Sequence, residues 1–485
     1  MKNKPKLIIF LFLLASFNQI IAQNCDCESN FNWVKKTFEE NDAGFKYVIN
    51  QKGENQYLIH NHNFSEKVKA TKNINECNGL LYNWLTFFRK GHIGINSIKK
   101  NDVEKTTDKK PNAEVDNWQS LNVNITEFEQ YLKSKKETDF EGIWETKPYK
   151  IGIKKEGQNY LGFIIESEVQ NWKKGQIKIK IDYENQSVKS TFYLRDKTPE
   201  QSISVNLIGN NYLQIGNKTL KRLNPILPTD KYIEDSFKSL LATKPYLEEL
   251  NKTTLILRIP SFGGSKKEID SVIKINKSKI LKTENLIIDL RNNGGGNDSN
   301  FQEILPFLYT NPIKSIGTEF YSTKLNNQRM LDFVNKPEYG FGDDEKKWAK
   351  KGYDKLQLNL GKFISIEDGE PEKSEVKKIF LNPKNVGIIV NDRNASTTEE
   401  FLLIAKQSKK VKLFGTTTFG ALDISNMYFV KSPCEEFELG YCLTKSLRIP
   451  DMAIDSKGIQ PDYYLDKSIP IYKWIEHTNE ILNAK

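Results

Sequence analysis

Two stretches, starting at residues 286 and 386, carry the residue types best suited to chemistry. The first, Leu286-Ile287-Ile288-Asp289-Leu290-Arg291-Asn292-Asn293-Gly294-Gly295-Gly296, ends in three glycines, where backbone amides can approach a ligand closely. The second, Val386-Gly387-Ile388-Ile389-Val390-Asn391-Asp392-Arg393-Asn394-Ala395-Ser396-Thr397-Thr398-Glu399, delivers a serine at the first turn of a helix. A serine hydroxyl is a poor nucleophile until a base takes its proton. The oxyanion formed by its attack needs preorganised donors. Ser396 is therefore the candidate nucleophile. The backbones of Gly294 and Gly295 and the Thr397 amide are the candidate oxyanion donors, with Asn293 and Glu399 as supports. The competing reading is a capping box, because Ser396-Thr397-Thr398-Glu399 also has the spacing in which a serine merely caps its helix.

Both stretches open with short apolar runs rich in β-branched residues, followed by a sharp turn and a helix. Buried parallel strands read this way, and they deliver ligand-binding turns at the carboxyl end of a sheet. Asp289 and Arg291 are read as supports of that sheet end. A dinucleotide loop is disfavoured, since G-x-G-x-x-G is missing and no acidic ribose partner is evident.

Around these strands the chain shows three patterns. From Phe31 to Lys90 the apolar spacing is helical, as in Phe31, Val34, Phe38 and in Leu81, Trp84, Leu85, Phe88. From Phe140 to Leu223 it alternates, most clearly in Ile177-Lys178-Ile179-Lys180-Ile181-Asp182-Tyr183. From Asp230 onward strands alternate with helices. The expected fold class is thus α/β (α+β multidomain). It comprises a signal peptide (1–22), an N-terminal helical domain (23–135), a β-rich barrel or sandwich (136–225) and an α/β core (230–485). The charged excursion at 311–378 is a candidate lid or substrate-facing insertion. Trp144 and Trp172 are read as barrel core, and His60-X-His62 as a solvated loop.

Lys2, Lys4 and Lys6 precede the apolar run Leu7 to Phe17, and Ile20-Ile21-Ala22 offers a cleavage site, the pattern of a secretory leader. Polar Gln23-Asn24 before Cys25 argues against a lipid-anchored cysteine. Removing three lysines from a formal charge of +10 leaves +7, a mildly basic surface and not a nucleic-acid stripe. No stable membrane insertion is expected after leader cleavage. Five cysteines fit an exported protein with one or two disulfides. Cys434 and Cys442, close together in an apparent hairpin, are the expected pair, and Cys25 or Cys27 with Cys77 the second. No C-x-x-C or H-E-x-x-H spacing supports a metal site, and no cofactor is implied. A glycan on the Asn394-Ala395-Ser396 sequon would block the site, which favours a bacterial exported protein in the periplasm or secreted.

The chain resembles the C-terminal-processing, or tail-specific, serine protease family. The resemblance rests on Leu286 to Gly296, on Ser396-X-X-Glu399, on Gly415-Thr416-Thr417-Thr418-Phe419-Gly420 and on Gly458-Ile459-Gln460-Pro461-Asp462, in family order. It implies a fold of that type and an acyl-transfer peptidase acting on peptide or protein substrates. The family's Ser-Lys version places its lysine where this chain has Ala421. Its tricorn-like version takes a histidine from the N-terminal segment, and Lys90-Gly91-His92-Ile93-Gly94 resembles that motif, presented just beyond a helix ending near Lys90 and capped by Gly91. The same resemblance makes Asp455, three residues before Gly458, the carboxylate that orients His92. Gly91 stands where tricorn enzymes carry a serine, and Asp455 where they carry a glutamate. The lost lysine and these departures define the alternative, a catalytically inactive binding protein of the same fold that recognises peptide or another extracytoplasmic ligand.

Overall fold

The computed structural model describes residues 25–98, 118–135, 137–184, 187–195, 197–216, 218–367, 373–374 and 378–484. The expected leader, 1–22, lies outside them. The chain divides into two compact units. One holds the described parts of Met1–Asp102, Ile316–Gly369 and Asp423–Met452, the other those of Val103–Ser315, Glu370–Leu422 and Ala453–Lys485.

In the second unit a six-stranded sheet runs in the order Tyr246–Glu249, Thr254–Arg258, Asn285–Asp289, Asn385–Val390, Val411–Gly415, Tyr463–Tyr464. All neighbours are parallel except the first pair. The β-branched runs form these strands because both faces are covered, so every second residue finds a core on its own side. Leu286, Ile288, Val386, Ile388 and Val390 face one core with Ile269, Ile273, Phe401 and Leu402, which come from the helices Lys266–Ile280 and Thr397–Ala405. Ile256, Ile287, Ile389 and Phe414 face another with Trp474, Ile475 and Leu482 of the helix Trp474–Asn483. Each such aliphatic side chain contributes about 1.5–3 kcal/mol by leaving water.

The same unit carries a nine-stranded antiparallel sheet with Pro199–Ser202 and Val205–Ile208 at its edges. Ile151, Ile153, Ile179, Ile181, Phe192, Leu213 and Leu220, from strands across that order, meet in one core. The sheet therefore curls around its own interior, as alternation with frequent turns suggests. Trp144 and Trp172 lie in that core.

In the first unit the helical spacing produces the helices Cys27–Asn41 and Ile74–Leu85. Phe31, Val34, Phe38, Leu81, Trp84 and Phe88 share a core with Phe437, Leu439, Tyr441 and Leu443. The N-terminal segment is thus not a core of its own. Gly94–Ser97 pairs with Phe437–Ser446, whose partner strand is Ile424–Lys431, so residues hundreds of positions apart share one sheet. Part of the 311–378 excursion also joins it: Thr318–Tyr321 pairs with Phe437–Ser446, and the helices Lys324–Asn335 and Asp343–Gln357 contribute Met330, Ala349 and Leu356 to a small core.

Cys27 pairs with Cys77 as expected, but Cys434 pairs with Cys25, and Cys442 is buried and takes part in neither disulfide. The Cys434–Cys442 expectation fails on register. Cys442 stands opposite Met427 inside the ladder, whereas Cys434 lies in the turn between the two strands. No helix among the described residues is long and apolar enough to cross a membrane.

Asp289, at the carboxyl end of its strand, is fully buried with Arg291 and Arg258. Its Oδ1 accepts from Arg291 Nε at 2.9 Å and its Oδ2 from Arg291 Nη2 at 2.6 Å, while Arg258 Nη1 stands 3.5 Å from Oδ1. Burial alone would raise the carboxyl pKa, but Arg291 and Arg258 outweigh it and hold Asp289 well below the usual range. A carboxylate depressed in the folded state contributes stability above its unfolded pKa, about 3.9, and that contribution is lost as pH falls below it. Asp289→Asn leaves two buried guanidinium groups without a counter-charge, so it should cost about 3–5 kcal/mol at neutral pH. Urea titrations from pH 7 to pH 3 check this: the difference between parent and variant should shrink below about pH 4. A constant difference would show that the Asp289 charge contributes nothing to stability.

Candidate active site

The two central strands pair in register, Leu286 beside Val386 and Asp289 beside Ile389, so their turns leave the sheet side by side. Asparagines stitch the turns together. Asn391 Oδ1 accepts from the Asn292 N–H and its Nδ2 donates to Asn292 Oδ1, both at 2.9 Å. Asn394 Nδ2 donates to the carbonyls of Leu290 (2.6 Å) and Asn293 (2.9 Å). The roles of Asn391 and Asn394 were not read from the sequence. Their placement between a strand and a helix start, where short amides bond to nearby backbone, was the available signal.

Ser396 follows this turn with φ 57° and ψ −128°, a conformation that costs a non-glycine residue free energy. Its N–H donates to the Ala421 carbonyl at 2.9 Å and, at 3.3 Å, to Glu399 Oε2. Ser396 and Glu399 stand at capping-box positions, and the Ser396 N–H to Glu399 Oε2 bond forms one half of the box. The strained backbone at Ser396 is more than a cap requires, since capping residues adopt ordinary extended conformations.

Glu399 is fully buried and organises what surrounds Ser396. Its Oε1 accepts from Thr418 Oγ1 at 2.5 Å and from the Gly420 N–H at 2.8 Å, and its Oε2 from the Ala421 N–H at 2.9 Å. Burial raises its pKa, and the bonds from Thr418, Ala421, Gly420 and Ser396 oppose that rise. Ala421, at the family's lysine position, is buried and takes part through its backbone alone.

Of the expected oxyanion donors, the Thr397 N–H opens its helix and finds no acceptor among the described residues. Gly294 is exposed, and its N–H likewise has no such acceptor. The Gly295 N–H has a partner within the turn. It donates to Asn293 Oδ1 at 3.1 Å, because that oxygen gathers three donors, the others being the Phe262 N–H (3.2 Å) and Thr398 Oγ1 (2.9 Å). Asn293 is thus the brace of the glycine turn. Gly295 serves by being small: with φ +105°, an added Cβ would lie 2.7 Å from the Ala395 carbonyl oxygen and 2.9 Å from Ser396 Cβ.

Asp455 lies in the same unit, where its Oδ1 accepts from the Leu422 N–H at 2.6 Å. His92 belongs to the other unit. The helix expected to end near Lys90 ends at Leu85, so Gly91 is not its cap, and His92 sits in the following loop with φ 53°. His92 Nδ1 stands 2.8 Å from the Ile424 carbonyl oxygen. As donor to that carbonyl, Nδ1 carries the proton and leaves Nε2 as the basic nitrogen. His60 and His62 lie on the helix Glu54–Ala70 rather than in a loop. The His60 ring stacks on Phe87 at 4.5 Å, and burial lowers its pKa. Among the described residues no group of three metal-ligating side chains occurs.

A serine on a strained strand-to-helix turn beside a glycine turn, at the carboxyl end of a parallel sheet, is placed as the serine of a nucleophile elbow is, though the flanking glycines of that motif are not present. Residues 253–465 match the model of peptidase family S41, so this part of the chain is similar to that family. No curated protein matches the chain. Among solved structures, mature CPAF is 13% identical over 94% of this chain and 96% of its own, with a TM-score of 0.50. Mature CPAF complexed with lactacystin is 12% identical over 94% and 97%, also with a TM-score of 0.50. A peptidase structure from Parabacteroides merdae is 13% identical over 95% and 98%, with a TM-score of 0.44. At these identities the likeness to solved structures is one of fold.

The two glycines give a direct test of this packing. Gly295→Ala should destabilise by about 1–3 kcal/mol through overpacking against the Ser396 turn. At Gly294 the nearest atom to an added Cβ is the Arg393 carbonyl oxygen at 3.9 Å. Gly294→Ala should therefore stay within about 0.5 kcal/mol of the parent. Denaturant midpoints of both variants check the contrast, and equal costs would refute the close approach at Gly295.

Proposed function

We propose that the protein is an exported serine endopeptidase that hydrolyses peptide bonds through an acyl-enzyme. Ser396 attacks the scissile carbonyl, and His92 Nε2 takes the hydroxyl proton. The imidazolium then returns the proton to the leaving amine, and a water activated by His92 hydrolyses the ester. The Thr397 and Gly294 amides receive the oxyanion, where loss of one donor costs about 2.7–4 kcal/mol of transition-state stabilisation. Asp455 supplies the carboxylate that favours the imidazolium.

One observation carries this reading: a serine held at positive φ beside the Thr397 N–H, which has no acceptor among the described residues. The S41 match supports peptide or protein substrates. The two disulfides, together with the basic and apolar start of the sequence, support export to an oxidising compartment.

The mature protein should cleave members of a peptide library and react covalently with a fluorophosphonate probe. Ser396→Ala should abolish both, with turnover down on the order of 10⁴–10⁶-fold, while thermal unfolding changes little. His92→Ala should remove most activity, together with the ionisation that raises kcat/KM between about pH 5 and 8. Cleavage by the Ser396→Ala protein at the parent rate would overturn the nucleophile. A parent protein that neither labels with the probe nor cleaves any peptide would favour the binding-protein alternative.

A further inference from the structure

His92 is held at positive φ by a buried ion pair that lies outside every motif described above. Arg89 donates from Nη1 to Asp42 Oδ1 at 2.8 Å and from Nη2 to Asp42 Oδ2 at 2.5 Å. The side chains are 4% and 0% exposed. Arg89 Nη2 also donates to the His92 carbonyl at 3.0 Å. Cys442 Sγ donates to the same carbonyl at 3.3 Å and lies 3.5 Å from the Ile424 carbonyl oxygen that faces the imidazole. Asp42 in turn accepts the Cys442 N–H at 3.0 Å and the Gly44 N–H at 2.9 Å. The Ala43 N–H donates back to the Cys442 carbonyl at 2.9 Å.

We infer that Asp42, Arg89 and Cys442 form a positioning set for His92, an inference that rests on the reading of His92 as the base. A buried ion pair is weak evidence of net stabilisation, since desolvation offsets much of the attraction. Its retention is better explained by geometry. A guanidinium is a rigid fork that can grip a carboxylate with two nitrogens and still aim an N–H at a third acceptor; a lysine ammonium lacks that planar reach. Asp42 ends the helix Cys27–Asn41, while Ile424 and Cys442 lie on paired strands. The His92 backbone and the His92 ring are therefore fixed from one helix end and one hairpin. Strain of this kind persists only where surroundings over-determine it, and here Arg89 Nη2, Cys442 Sγ and the Ile424 carbonyl do so. Gly44 belongs to the arrangement, because an added Cβ would stand 3.0 Å from Arg89 Nη1 and from the Ile424 side chain.

The test uses the full mature chain with Arg89→Lys, Cys442→Ala, Cys442→Ser and His92→Ala. Imidazole ¹⁵N spectra of histidine-labelled protein report tautomers without needing activity. The four histidines give few signals, and His92 is assigned by its loss in His92→Ala. In the parent His92 should show a protonated Nδ1. Arg89→Lys should shift that signal toward a tautomer mixture and lower kcat about 10- to 100-fold, since displacements near 1 Å cost that much, with KM within about two-fold. Cys442→Ala should shift it less, and Cys442→Ser, which keeps a donor, should restore it. Should Arg89→Lys fail to fold, the Cys442 pair still decides. Parent-like His92 signals in Arg89→Lys and Cys442→Ala would overturn the positioning set, even where melting temperatures fall. Full activity of His92→Ala would instead overturn the base assignment and leave the spectroscopic result standing.

Discussion

The in-register parallel pairing of Asn285–Asp289 with Asn385–Val390 is the constraint on which the rest of the candidate site depends. Strand neighbours stand about 4.7–4.9 Å apart, so one register brings both turns within reach of short amide side chains. The Asn292–Asn391 and Asn394–Asn293 bonds exist only in that register. So does the contact of Gly295 with the Ser396 turn. A one-residue slip would also exchange the faces, taking Ile287 and Ile389 away from Trp474 and exposing the alternation to the wrong core. Hydrophobic burial thus fixes the register, and the register fixes the chemistry-bearing turns.

Two buried acids complete the frame and behave oppositely. Asp289 faces two guanidinium groups and stays charged, neutralising Arg258 and Arg291 where the strand ends. Glu399 faces hydrogen-bond donors without a cationic partner among its pKa determinants, and burial shifts it upward. Its work is directional: each bond it accepts ties the 418–421 turn to the start of the Ser396 helix. A substitution at Asp289 is felt as uncompensated charge, one at Glu399 as amides left without acceptors.

The sheet and the Ser396 turn were legible because their signals are local. Unbroken β-branched runs specify buried strands, and glycine and asparagine specify the turns that follow them. The helical spacing of Phe31, Val34 and Phe38 was equally plain. What those helices pack against was not, because Phe437, Leu439 and Tyr441 lie four hundred positions away and periodicity does not encode partners. The disulfides failed for the same reason: proximity in sequence suggested Cys434 with Cys442, but strand register separates them and Cys25 arrives from the far end of the chain. The commitment of the Gly295 N–H was hidden too, since three glycines in a row advertise open amides and say nothing of the Asn293 oxygen that claims one.

Ser396 and His92, the proposed nucleophile and base, share one backbone property, a positive φ. Glycine would relieve the strain at either position but would remove the hydroxyl or the imidazole that the proposed reaction uses. The remaining route is to hold the strained conformation from outside. Around Ser396 this falls to the Ala421 carbonyl and Glu399, and around His92 to Arg89, Cys442 and the Ile424 carbonyl. Neither holding set rests on a single bond; each combines a buried ionisable side chain with a main-chain partner distant in sequence. Since such sets serve conformation more than net stability, their removal should be read first in the geometry of the residue they hold and only second in the melting temperature.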